Sequence, residues 1–142
     1  MKNTKYRVWD IFDKIMNYDV AFVGNRILFN YLIEEEDIYC NDYVDIDEEN
    51  RKYFKVMQCV GFKDKNGQEI YEGDIDTGGY VVTYLANLNE GLGMEAGWYL
   101  QRDNFESWSN LQCDENIEII GNIFENPEKA INNCNTDYSK MF

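Results

Sequence analysis

The 142-residue chain contains no histidine. That absence removes the usual general base, the Ser-His and Cys-His nucleophile pairs, and imidazole as a metal ligand. Carboxylates, Lys, Tyr and Cys are the groups left for any catalysis. Proline occurs once, at Pro127, and the ten glycines are spaced as turns require. Positive charge is also scarce: thirteen Lys and Arg stand against twenty-seven Asp and Glu, giving a net charge of −14 and a pI near 4.2. A duplex-binding protein needs a basic footprint to replace phosphate counterions, and no such footprint is present in the sequence. Direct nucleic-acid binding and attachment to an anionic membrane surface are both disfavoured. The same charge attracts a protein whose own surface is basic, including one that handles DNA or RNA, although acidic surface more commonly serves solubility.

Long apolar runs are missing too. The opening Met1-Lys2-Asn3-Thr4-Lys5 has no apolar signal region, and no stretch approaches a membrane span. The expected location is the cytoplasm, where thiols stay reduced. The four cysteines, Cys40, Cys59, Cys113 and Cys134, show no zinc-knuckle spacing. Cys59 lies in an apolar segment and reads as a small core residue, while the other three fall in polar sequence as free thiols.

What the chain does contain is aromatic and strand-forming. It is 44% hydrophobic and 15% aromatic, with eleven Tyr, eight Phe and three Trp, enough to bury a core and biased toward strands. In the first third, Ile27, Phe29, Tyr31 and Ile33 share a face at period two, and Gly24-Asn25 marks a turn between two short apolar segments. Further strands are expected over 53–60, 68–71, 79–85, 97–102 and 117–124, with a flexible loop over 86–97. Gly121 inside an apolar strand signals a bulge or a barrel corner. Asn126-Pro127 reads as the start of a short helix, with Asn as N-cap, Pro at the first position and Glu128 favoured by the dipole.

The most specific stretch is Val60-Gly61-Phe62-Lys63-Asp64-Lys65-Asn66-Gly67-Gln68-Glu69-Ile70-Tyr71-Glu72-Gly73-Asp74-Ile75. Asn66-Gly67 predicts a type I′ hairpin turn, with Lys63-Asp64-Lys65 as a solvated tip. Two other strings accompany it in order: Tyr6-Arg7-Val8-Trp9-Asp10, and Ile117-Glu118-Ile119-Ile120-Gly121-Asn122-Ile123-Phe124-Glu125-Asn126-Pro127-Glu128. Together, with Met57-Gln58 ahead of the central string, they resemble the YopX family of phage-encoded proteins over residues 6 to 128. The resemblance implies a phage or prophage origin, hence a bacterial host cytoplasm, and an SH3-like barrel in the C-terminal part. It supplies no catalytic residues. The fold expected is therefore mainly β: an N-terminal β segment with an acidic loop over 1–52, an SH3-like barrel over 53–133 ending in a short helix, and a frayed tail over 134–142.

Candidate chemistry is sparse. Glu69, Glu72 and Asp74 are the carboxylates that could hold Mg²⁺ for a nuclease. Glu69 and Glu72 are an odd number of positions apart, so a regular strand sends them to opposite faces. Surface charge, with Asp74 shaping a turn, is the better reading. Lys63 and Lys65 near Gly61 and Gly67 match neither phosphate-loop pattern. The aromatics Trp98, Tyr99, Phe105 and Trp108 are mostly barrel core, with Trp98, Tyr99 and Trp108 the candidates for a pocket that would take a nucleotide-like small molecule. Trp9 and Phe62 read as core anchors.

One constellation remains. Residues 34 to 49 hold nine carboxylates and no Lys or Arg, which reads as a solvated loop flanking or containing one edge strand. Within it, Glu34, Glu35, Glu36, Asp37, Asp42 and Asp45 are interleaved with Tyr39 and Tyr43. Spaced carboxylates can imitate a phosphate array and pair with Arg or Lys in a groove. The function expected is that of a non-enzymatic phage accessory protein, an acidic inhibitor of a host nucleic-acid-handling or defence protein, needing no cofactor. The partner is then a basic host protein, and open barrel edges allow a homo-oligomer.

Overall fold

The computed structural model describes residues 5–29, 32–34, 37–39, 42–85, 97–102, 107–111 and 116–130. Tyr31, Glu35, Glu36, Cys40, the loop 86–96, Phe105, Cys113, Cys134 and the tail 134–142 lie outside those residues. The fold is mainly β, and the chain divides into two compact units, Met1–Gln58 and Cys59–Met141. The boundary falls inside one strand, Phe54–Lys63.

The first unit begins with β1 (Tyr6–Asp10), β2 (Ile15–Asn17), β3 (Val20–Val23) and β4 (Arg26–Phe29). It continues with β5 (Leu32–Glu34), β6 (Asp37–Tyr39), β7 (Asp42–Asp45) and the first half of β8 (Phe54–Lys63). β1 pairs antiparallel with β2 and with β8, in the register Val8↔Asn17 and Val8↔Val56. β4 lies between β3 and β7, with Ile27 opposite both Phe22 and Val44. Period-two alternation then sends Val8, Val20, Ile27 and Phe29 to one core, where Tyr6, Val44, Ile46, Phe54 and Val56 pack against them. Ile27 and Phe29 thus share the face read from their spacing. The acidic run differs from expectation, since it holds two strands, β6 and β7, rather than one. Alternation turns Tyr43 and Asp45 away from the core that Val44 enters, and Asp42, at the start of the strand, is exposed as well. The run ends in a turn fixed by Asp47, whose Oδ1 accepts the N–H groups of Glu49 and Asn50 at 3.0 and 2.9 Å.

The second unit takes the rest of β8 and adds β9 (Glu69–Tyr71), β10 (Asp74–Asp76), β11 (Val81–Leu85), β12 (Gly97–Arg102), β13 (Ser107–Asn110) and β14 (Ile119–Asn122). Five of these form one antiparallel sheet in the order β13-β12-β11-β10-β14, while β8 and β9 make a separate ladder. The curled sheets form a half-barrel, over a core of Ile70, Val82, Leu100, Leu111, Ile117 and Ile119, with Val60, Phe62, Tyr80 and Trp98 packed against it. Phe62 is thus the core anchor expected. Cys59 is a buried free thiol.

Three local readings change. The β8–β9 turn is not type I′, because Gly67 alone has positive φ (81°) and Asn66 does not. Gly67 N–H donates to Asp64 C=O at 3.0 Å and Asp64 N–H to Gln68 C=O at 2.8 Å, which is a three-residue connection ending in a left-handed glycine. Asp64 is no solvated tip; it is 6% exposed. Its Oδ1 accepts from Asn66 and Gln68 N–H (both 2.9 Å), and its Oδ2 accepts Ile119 N–H at 3.1 Å. Those bonds hold the turn right-handed until Gly67.

The C-terminal helix is a single 3-10 turn, Pro127–Lys129, and Asn126 makes no side-chain cap bond. Its Oδ1 instead accepts Asn122 N–H at 3.3 Å. The bulge read from Gly121 is present: β10 and β14 shift register between Ile75↔Gly121 and Asp76↔Ile119.

Candidate functional site

The acidic candidates lie on β5, β6 and β7. Register sets Glu34 opposite Asp37 in the β5–β6 pair. Glu35 and Glu36, between them, lie outside the described residues. Tyr39 ends β6 opposite Leu32. Asp42 opens β7 opposite Phe29, and its Oδ1 accepts Tyr43 N–H at 2.8 Å.

The geometry sharpens at the other end of β7. Tyr43 and Asp45, two residues apart, share a face of the strand, and Arg26 of β4 is opposite Asp45. Arg26 donates from Nε to Asp45 Oδ1 at 2.6 Å and from Nη2 to Oδ2 at 3.3 Å, a bidentate fork. Its Cζ also lies 4.2 Å from the centroid of the Tyr43 ring, within cation–π range. The hydrogen bond from Arg26 holds the Asp45 carboxyl below its ordinary value of 3.8, with desolvation opposing it and the Arg26 charge adding to it. All three groups remain about half exposed: 46% and 60% for the Arg26 and Asp45 side chains and 53% for Tyr43. Sequence reading passed over Arg26, because nothing in the linear chain joins it to a residue nineteen positions on. Only the β4–β7 register does so.

The aromatic candidates Trp98, Tyr99 and Trp108 lie on β12 and β13. Trp98 and Tyr99 are neighbours on β12 and point to opposite faces of the sheet. Trp98 is opposite Tyr84, with ring centroids 5.1 Å apart in an edge-on contact, and packs on the core. Tyr99 is opposite Thr83 and is buried. Trp108 pairs in register with Gln101.

The carboxylates proposed for a metal are also spread. Asp74 is buried, and its Oδ2 accepts Tyr71 N–H at 2.8 Å, so it shapes the β9–β10 turn. Glu69 is opposite Lys63. Among the described residues no three Asp, Glu, Cys or His side chains come together in a metal-binding group. Lys65 pairs with Glu118 at 3.3 Å. No helix among the described residues is long and apolar enough to cross a membrane.

A family model described as YopX protein matches residues 5–129. The chain belongs to the YopX family. The match takes in all three strings on which the resemblance was read, and both compact units contribute to it. Among solved structures, this YopX-family chain is similar to the crystal structure of protein EF1440 from Enterococcus faecalis, at 26% identity and a TM-score of 0.55, over 90% of this chain and 98% of that one. No curated protein matches.

Proposed function

We propose that this YopX-family chain is a non-enzymatic phage or prophage accessory protein. It acts in the host cytoplasm by binding a basic host protein that handles nucleic acid or defends against it. The observation that carries this reading is the placement of the acidic run on strands. Asp42 and Asp45 are held exposed on β7, Glu34 and Asp37 are brought opposite each other on β5–β6, and the chain as a whole carries −14. Carboxylates held exposed on a strand present an anionic surface, and a basic groove that takes phosphates is complementary to it. Exposed Tyr43 adds contact area of the kind that recurs in protein interfaces.

The experiment is a tagged pull-down from bacterial host lysate at low and high salt, repeated with Glu34, Glu35, Glu36 and Asp37 all changed to Lys. A partner that elutes as salt rises, and that the reversed variant fails to capture, supports the reading, because screening weakens such contacts. A partner captured equally by both proteins rejects it. The small-molecule alternative is weakened by the opposite facing of Trp98 and Tyr99, and the nuclease alternative by the burial of Asp74, whose Oδ2 is taken by Tyr71 N–H.

A further inference from the structure

Tyr43 and Asp45 together make a receptor for a guanidinium. Arginine is recognised by a carboxylate that accepts two parallel N–H bonds and by an aromatic face that attracts the flat cation. Both elements are present side by side on β7, and both are engaged: the fork is closed at 2.6 and 3.3 Å and the stack stands at 4.2 Å. The guanidinium seated there is the chain's own Arg26.

We propose that the Tyr43–Asp45 face is a docking site for an arginine-bearing segment of the basic partner, and that Arg26 is its built-in competitor. This rests on the reading of the acidic strands as a partner-binding surface and gives that surface an address and a gate. Three features argue for such an occupant. The receptor is about half open to solvent on every member, so a second guanidinium can approach without unfolding the strand. The overall charge favours a cation, since the chain carries −14. The exchange is also matched in kind, because the incoming arginine would remake on Asp45 and Tyr43 the fork and the stack that Arg26 gives up. Arg26 thereby sets a threshold: a lone cation gains little, and a partner must add contacts elsewhere along the acidic strands. The site also distinguishes arginine from lysine, whose compact ammonium has neither the planar fork nor the stacking surface.

The test uses the full chain and two labelled probes, a peptide of alternating arginine and glycine and its lysine counterpart, with binding followed by fluorescence anisotropy. Arg26→Ala is expected to tighten binding of the arginine peptide about two- to five-fold, the range that loss of an exposed competing pair allows. Lys63→Ala removes the same unit of charge from the β8–β9 hairpin and serves as the charge control, with a smaller effect expected. Adding Tyr43→Ala to Arg26→Ala leaves the charge unchanged and should abolish the extra tightening. The lysine peptide should show no gain beyond the charge control. Circular dichroism checks that each variant is folded.

The proposal is overturned if Arg26→Ala gains no more than Lys63→Ala, if the gain survives Tyr43→Ala, or if both peptides gain equally. Failure of the broader reading looks different: the lysate partner is then retained by the variant reversed at residues 34–37, whatever the Arg26 variants do.

Discussion

Asp64 and Asp76 close two successive hairpins with the same set of hydrogen bonds. In each, Oδ1 accepts the N–H two residues on (Asn66 at 2.9 Å, Gly78 at 3.0 Å) and four residues on (Gln68 and Tyr80, both 2.9 Å). The backbone N–H of each pairs with the carbonyl four residues on, and a glycine three residues on, Gly67 or Gly79, donates to its carbonyl. Those glycines have φ of 81° and 82°. A chain with one proline cannot preset φ at its turns, and here a buried aspartate followed by a left-handed glycine does the work instead.

Asp64 has a further role, because its second oxygen receives Ile119 N–H and so ties the hairpin to β14. Asp64→Asn keeps one acceptor oxygen but turns an amide donor toward a donor at one of its contacts. We expect a loss of about 1–2 kcal/mol for Asn and about 2–3 kcal/mol for Ala, as buried N–H groups lose their partners. Urea unfolding of the two variants measures both, with an unchanged m-value showing that the fold is intact. Equal stability of Asp64→Ala and the parent chain would refute the latch.

The same carboxylate sets an acid limit. Burial opposes its ionisation, yet the N–H groups of Ile119, Gln68 and Asn66 and the charge of Lys65 outweigh that effect and hold it below the ordinary value of 3.8. A depressed folded-state value contributes stability that is complete above the unfolded value and is lost as pH falls below it toward the folded one. The urea midpoint should therefore decline from about pH 5 downward, and Asp64→Asn should flatten the decline. Asp45, lowered by Arg26, acts in the same direction but is exposed to solvent screening, so Asp64 should dominate.

Gly67 and Gly121 are glycines for different reasons. A Cβ at Gly67 would meet nothing within 4 Å, so only its left-handed φ resists substitution. Gly67→Ala should cost about 1–2 kcal/mol, and Gly67→Asn noticeably less, since Asn tolerates that region. Thermal melts of the two variants decide it, and equal losses would show that the turn geometry has another origin.

How far the sequence carried this reading depends on the range of the interactions. Period-two spacing placed Ile27 and Phe29 on the core face, and the lone glycine in an apolar segment marked the β10–β14 bulge. Both are properties of one strand. The short strands β10 and β13 were not distinguished because three or four residues carry too little alternation to register, and they are defined by their partners. Asn66-Gly67 signals a turn correctly but not its type, which follows from the bonds that Asp64 accepts from Asn66 and Gln68 N–H, while its tie to Ile119, 55 residues away, is set by tertiary packing. At the candidate site Tyr43 and Asp45 were legible as interleaved aromatic and acidic residues. Arg26 was not, because strand register alone brings it there.

Gly121 offers the sharpest steric test. A Cβ there would lie 2.6 Å from Asn126 Oδ1 and 2.9 Å from both Asn126 Cβ and Cγ. Asn126 is held in that position because its Oδ1 accepts Asn122 N–H, and Asn126 N–H in turn donates to Asn122 C=O at 2.8 Å. The neighbour therefore cannot swing aside without giving up bonds, and Gly121→Ala should destabilise the second unit by roughly 1–3 kcal/mol, the usual range for overpacking. Asn126→Gly removes the obstructing side chain at the cost of one hydrogen bond, so the double variant should be more stable than the sum of the two single losses predicts. Strict additivity in urea unfolding would mean that the two residues do not meet, and that the bulge rather than Asn126 demands glycine at this corner.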